Sequence, residues 1–388
     1  MVPLLRYGFR PFFLGAGLAA ALLIPWWAAS YACGVPLGTS WPPTLWHAHE
    51  MLFGFIGAAV AGFLLTAVPS WTGARGFAGA PLALVSGLWL LARIAVATSR
   101  LWPLAAVATL DLAFLPAIAV LVLPPLLRAR NRNAPLLAVL AALWAADIAF
   151  YRGLYHRNDG ESLHALIVGI DIVLLLITVI GGRIIPAFTA TALKQRGTVG
   201  SVRVWPGITQ VAVAAMIALA LSDLLVPDGM IGGVIAAIAA AAQAMRLAQW
   251  QTLRTLRQPI VWVLHLAYVW LPIGLGLKAA ALLTGAAAAA FWLHALTIGA
   301  VATMIVAVMT RASLGHTGRP LVVDPLIALA YLLLTAAALV RVFGLAVLRI
   351  AYPEVILAAA LLWTAAFVLF IWIYAPMLLA ARVDGRPG

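Results

Sequence analysis

Ser162 to Gly182 reads SLHALIVGIDIVLLLITVIGG, a run of apolar residues broken by a single charge, Asp171. A helix rises about 1.5 Å per residue, so such a run crosses the roughly 30 Å hydrocarbon core of a bilayer. It does not alternate and is twice the length of a membrane barrel strand, so it reads as a spanning helix. Outward from it the same pattern recurs, punctuated by Pro, Gly and charge clusters. The expected spans are 11–33, 46–69, 80–99, 102–127, 134–151, 162–182, 204–222, 229–247, 259–282, 288–311, 325–347 and 354–380, twelve in all. The fold class is therefore an all-α polytopic membrane protein, expected to be one twelve-helix domain over residues 1–388.

Composition agrees. Of 388 residues 65% are hydrophobic and 9% charged, where soluble proteins carry about 25% charged residues. That excludes an ordinary soluble enzyme, and the apolar content excludes disorder. The net charge of +13 fits cationic loops flanking spans, not a nucleic-acid face, for which no polar surface remains. One cysteine, Cys33, provides neither a disulfide framework nor a thiolate metal site. The segment around Ser30–Cys33 lacks a small-residue cleavage context, so the first span is expected to be retained.

With twelve spans the termini share a side. Only Arg93, Arg100, Arg152, Arg157, Lys278, Arg341 and Arg349 fall to the opposite half, while the other Lys and Arg, from Arg6 to Arg386, collect on the side of the termini. The bias predicts N-in, C-in.

A charge inside a membrane helix costs a few kcal/mol or more and marks function. Glu50, Asp111, Asp147 and Asp171 lie within spans, with Arg93, Lys278 and Arg341 in outer portions. His47, His49, His156, His164 and His294 lie at similar depth on the outer side, and only His265 and His316 lie toward the cytoplasm. One imidazole at that depth commonly satisfies a neighbouring carbonyl; five at one level point to metal or cofactor ligation.

The densest stretch is Trp46-His47-Ala48-His49-Glu50-Met51. Residues two apart on a helix point to nearly opposite sides, so His47 and His49 are expected at two sites. His47 with Glu50 and Met51 forms a donor set suited to copper. His49, on the face of Phe53 and Ile56, suits an axial haem ligand, with His294 opposite it in apolar, aromatic surroundings. The plainer reading of the stretch is an interfacial helix N-terminus. His164 is a further candidate metal ligand, with Asp171 one level deeper on its face. His265 suits a second haem or plain packing. Arg341, Arg93 and Lys278 are at the depth of haem propionates, with snorkelling to the interface the favoured reading for Arg93 and Lys278. Glu50, Asp171 and Asp111 are the candidate proton carriers. Toward the cytoplasm, Gly181–Thr189 is expected to break its helix, and Thr310–Pro320 to end another. Both combine Gly, Pro, Arg and hydroxyls, and suit an anion, quinol-headgroup or second metal site, or simple positive-inside anchoring.

Trp46–Phe55 (WHAHEMLFGF), Gly62–Pro69 (GFLLTAVP), Gly181–Thr189, His265–Tyr268 and His294–Gly318 together resemble the NnrS family. The resemblance implies a bacterial inner-membrane protein with haem, of b type, and copper, linked to nitric oxide tolerance and denitrification. Nitric oxide is then the expected small-molecule partner, lipid the surroundings, and a quinol or redox protein the electron donor. A more distant likeness, to subunit I of haem–copper oxidases, implies haem ligation from His49 and His294, propionates near Arg341 and a copper ligand at His164. It departs at 204–222, which lacks the histidine pair of those oxidases; His47, Glu50 or His156 would have to substitute. Three function classes follow: an oxidoreductase acting on nitric oxide, a non-catalytic sensor or scavenger, and a transporter of a metal or small solute.

Overall fold

A computed structural model describes residues 2–197, 202–286 and 291–385. Arg386 of the charge count, and residues 288–290 at the expected start of the tenth span, lie outside the described residues. Among the described residues the regular structure is helical, without strands. Twelve helices are long and apolar enough to cross a membrane: α1 Phe9–Cys33, α2 Pro43–Thr72, α3 Ala80–Ala97, α4 Leu104–Arg128, α5 Leu136–Tyr155, α6 Asp159–Gln195, α7 Pro206–Leu225, α8 Met230–Ala248, α9 Pro259–Thr284, α10 Trp292–His316, α11 Pro325–Phe343 and α12 Tyr352–Leu379. The protein is a multi-pass membrane protein. Large apolar side chains such as Leu84, Leu221, Leu361 and Trp372 are left exposed, as lipid-facing residues should be.

The chain forms two compact units, one of Met1–Gly169, Arg311–Pro320 and Phe367–Gly388, the other of Ile170–Thr310 and Leu321–Ala366. In the first, α1 lies against α2 because glycines admit close approach. A Cβ on Gly62 would stand 2.7 Å from the Phe13 ring, and one on Gly8 2.4 Å from Leu65. This is small-residue packing within one chain.

Two departures from regular α-helix matter. Glu50–Ile56 in α2 and Ala295–Ala302 in α10 are π-helical, and each directly follows a histidine singled out above, His49 and His294. Such wider turns are rare and cluster at functional sites. The expected break at Gly181–Thr189 does not occur: α6 continues through Pro186 to Gln195. A proline inside a membrane helix is tolerated where neighbours re-satisfy the freed backbone groups, so Pro186 does not end α6 here. The second expectation holds, since α10 stops at His316 and Gly318 follows with φ of 76°.

Candidate metal centre

Four helices of the first unit aim charged groups at one point. His49 and Glu50 come from α2, Arg93 from α3, Asp111 from α4, and Asp147 with Tyr151, one turn apart on the same face, from α5. All six are buried, His49 and Glu50 completely. Arg93 lies between carboxylates, its Nη1 donating to Glu50 and its Nη2 to Asp111. Tyr151 donates to Asp111 Oδ2 at 2.8 Å. His49 Nε2 stands 3.0 Å from Asp111 Oδ2 and 3.3 Å from Asp147 Oδ1, and its Nδ1 3.4 Å from Glu50 Oε1. Around the imidazole stand the rings of Trp41, Phe53, Phe150 and Tyr151, with centroids 4.5–5.6 Å away, which keep water out.

The sequence makes this convergence possible at Gly54, one turn beyond Glu50. A Cβ there would lie 3.2 Å from Arg93 Cδ and 3.4 Å from Glu50 Oε2, so the missing side chain is the guanidinium's passage. Trp89, one turn before Arg93 on α3, donates to the Gly54 carbonyl at 3.1 Å and fixes the two helices at this level. The snorkelling expected of Arg93 is therefore overturned. Its side chain turns inward because two buried carboxylates offer it more than the interface does.

Three carboxylates face one guanidinium, which leaves two negative charges in excess when His49 is neutral. In a water-excluded membrane site that excess must be balanced. Two protons or one divalent cation would do so. One donor atom each from His49, Asp111 and Asp147 lies within 4.8 Å of the others. Two donors each about 2.1 Å from one ion stand about 3.0 Å apart at right angles and about 3.4 Å apart at the tetrahedral angle, and His49 Nε2 stands 3.0 and 3.3 Å from its two carboxylate neighbours. The donor set fits a divalent ion. Imidazole with carboxylates suits Cu(II), iron or manganese and is poor for Cu(I), which selects sulfur ligands. Glu50 Oε2 is buried without a hydrogen-bond partner, a second acceptor at the edge of the same cluster.

The remaining sequence candidates are placed elsewhere. His47 stacks on Trp27 of α1, with centroids 4.2 Å apart, while Glu50 turns to Arg93 and His49. His164 is half-buried near the start of α6, outside the cluster. In the second unit, the two ring nitrogens of His265 meet the hydroxyls of Thr189 and Thr252 at 2.8 and 3.0 Å, and serving a haem axially would require giving one of these contacts up. The Nε2 of His49 faces two carboxylates, and serving a haem axially would require giving these contacts up. His294 belongs to the second unit and His49 to the first.

The second unit also holds buried cations, among them Lys278 and Arg341. Lys278 pairs with Asp223, stands 3.8 Å from Asp171, and lies 4.5 Å from the Trp292 ring centroid. The snorkelling expected of Lys278 is overturned too: it is 2% exposed, held by carboxylates from α7 and α6. Arg341 lies 5.1 Å from each of the Phe291 and Tyr352 ring centroids and donates to the Tyr352 hydroxyl at 2.9 Å. Its Nη1 is buried without a hydrogen-bond partner, and the first turn of α10, which carries His294, packs against α11. An orphaned guanidinium nitrogen beside an imidazole-bearing turn fits the needs of a haem propionate and ligand.

A family profile described as NnrS protein matches residues 3–382. The chain belongs to the NnrS family. Membership links it to the response to nitric oxide, and the NnrS family is associated with haem and copper. No match was found among curated proteins. The sequence of this NnrS chain marks Asp147 as a charge within a span without giving it a role, and does not single out Tyr151 or Asp223. A signal was present in Asp147 and Tyr151 one turn apart on a span, a spacing that puts both on one face.

Proposed function

We propose that this protein is a bacterial inner-membrane metalloprotein that binds nitric oxide and removes it, in protection from nitrosative stress and in denitrification. The observation that carries the reading is the buried His49–Asp111–Asp147 donor set with its charge excess. In this reading His49, Asp111 and Asp147 hold a copper ion, and His294 with Arg341 holds a b-type haem by its iron and a propionate. The ion when bound supplies a positive centre and an open coordination position for a small neutral diatomic.

The chain's own residues do the rest. Arg93 cancels the charge of Glu50 and fixes one oxygen of Asp111, so that Asp111 presents the other oxygen toward His49. Tyr151 orients that oxygen. The aromatic wall of Trp41, Phe53 and Phe150 excludes water and admits an apolar gas from lipid. Reduction of two nitric oxide molecules to nitrous oxide and water takes two electrons and two protons. The electrons would come from a quinol or redox protein. Glu50, with its unpartnered buried oxygen, and, in the second unit, Asp171 beside Lys278 are the groups able to hold the protons; Asp111, expected from the sequence to carry one, has its oxygens engaged by Arg93, Tyr151 and His49 and serves as a ligand instead.

The test is turnover. Purified protein with reductant and nitric oxide, under anaerobic conditions, is expected to release nitrous oxide, and Asp111→Asn to abolish it. Tight binding of nitric oxide without nitrous oxide would leave a scavenger or sensor. Metal flux into liposomes without either would make the protein a transporter.

A further inference from the structure

In the second unit, the C-terminal half of α6, the start of α7 and the end of α8 border an open cavity of about 640 Å³. That is the size of a small-molecule site. Val179, Pro186, Ala190 and Val213 form an apolar wall, and Arg246, Arg183, Thr178 and Thr209 supply polar groups.

Arg246 is the unusual member. It is 2% exposed, yet its Nη1 donates only to neutral acceptors: the Thr178 carbonyl at 3.0 Å, Gln243 Oε1 at 3.2 Å and the Tyr268 hydroxyl at 2.8 Å. Its Nε is buried without a hydrogen-bond partner, and so is the Thr209 hydroxyl. The fold makes room for this guanidinium: a Cβ on Gly182 would fall 1.6 Å from its Nη2. A buried cation without a counter-charge costs several kcal/mol, so the local structure is built for an anion it does not itself supply. Among the described residues, no Asp or Glu lines this cavity or a second one of about 420 Å³ bordered by Arg203, Trp205 and Gln249. Three arginines, an aromatic of the kind found at membrane interfaces and an apolar wall along membrane helices form an amphiphilic frame.

We propose that this cavity binds one anionic phospholipid, its phosphate against Arg246 with Arg183 and the Thr209 hydroxyl in support, and an acyl chain along the apolar wall. The site is separate from the metal and haem reading and stands or falls without it.

The test uses the full chain in detergent, with native mass spectrometry of retained lipid. The probes are phosphatidylglycerol, phosphatidylcholine with the same acyl chains, and inorganic phosphate. Phosphatidylglycerol is expected to be retained one per chain in preference to phosphatidylcholine. Loss of one arginine contact, about 1 kcal/mol near a membrane surface, lowers retention about fivefold in Arg246→Gln. Val213→Trp fills the cavity without touching the charge and lowers it as well, so the test survives if Arg246→Gln fails to fold. Equal retention of the two lipids, or retention unchanged in Val213→Trp, overturns the proposal. Displacement of phosphatidylglycerol by inorganic phosphate overturns the lipid and makes the ligand a free anion.

Discussion

Replacing Arg93 with Met removes the only guanidinium from a cluster that otherwise holds Glu50, Asp111, Asp147 and His49. Met keeps the apolar stem and its packing against Gly54, so the change is one of charge. Breaking a buried ion pair from one side costs about 3–5 kcal/mol, and here two carboxylates lose the same partner. The expected loss of stability is at that scale, measurable by unfolding in mixed micelles followed through tryptophan fluorescence. Adding Glu50→Gln removes one of the stranded charges, and the double variant should recover about 0.5–3 kcal/mol, the range for coupled neighbours. A divalent ion supplies the opposite response. Arg93→Met raises the excess negative charge from two to three, so saturating metal should stabilise the variant more than the parent chain, by mass action on the folded state. A variant within about 0.5 kcal/mol of the parent, as for an ordinary surface change, or one that metal stabilises no better, would refute the charge accounting.

Lys278 follows the same logic. Lys278→Met strands Asp223 and Asp171 and should cost about 3–5 kcal/mol, with Asp223→Asn in the same chain recovering part of it; a neutral outcome in the same unfolding assay means Lys278 is solvated. His265→Ala leaves the hydroxyls of Thr189 and Thr252 without their shared partner and should destabilise by about 1–3 kcal/mol while the haem absorbance per chain stays unchanged. Loss of that absorbance would make His265 a ligand.

The number and nature of the spans were readable because a bilayer imposes length and polarity on each segment separately. The run from Ser162 to Gly182 declares itself without reference to any other helix. Its true length, Asp159–Gln195, was not readable, because Gly181, Gly182 and Pro186 punctuate a soluble helix but are absorbed in a membrane one. At the site, His49, Glu50, Asp111 and Asp147 were each conspicuous as polar residues at depth. Their meeting was not, since it depends on which faces of α2, α3, α4 and α5 pack together. Arg93 shows the difficulty best: a long cation near a span end either reaches for water or turns inward, and only the position of Glu50 and Asp111 decides. The π-helical turn after His49 shifts the faces that a regular 3.6-residue period gives to the residues beyond it. Asp223 sits one residue beyond the expected span 204–222, yet it lies within α7 and pairs with Lys278.

The central claim is that His49, Asp111 and Asp147 hold a metal ion in the membrane. Metal content of the purified chain, measured beside X-ray absorption at the metal edge, tests it most directly. The expected result is a stoichiometric ion with a nitrogen and oxygen shell, lost in both His49→Ala and Asp147→Asn while each variant stays folded. Unchanged metal in those two variants, or a sulfur shell around the ion, would contradict the assignment.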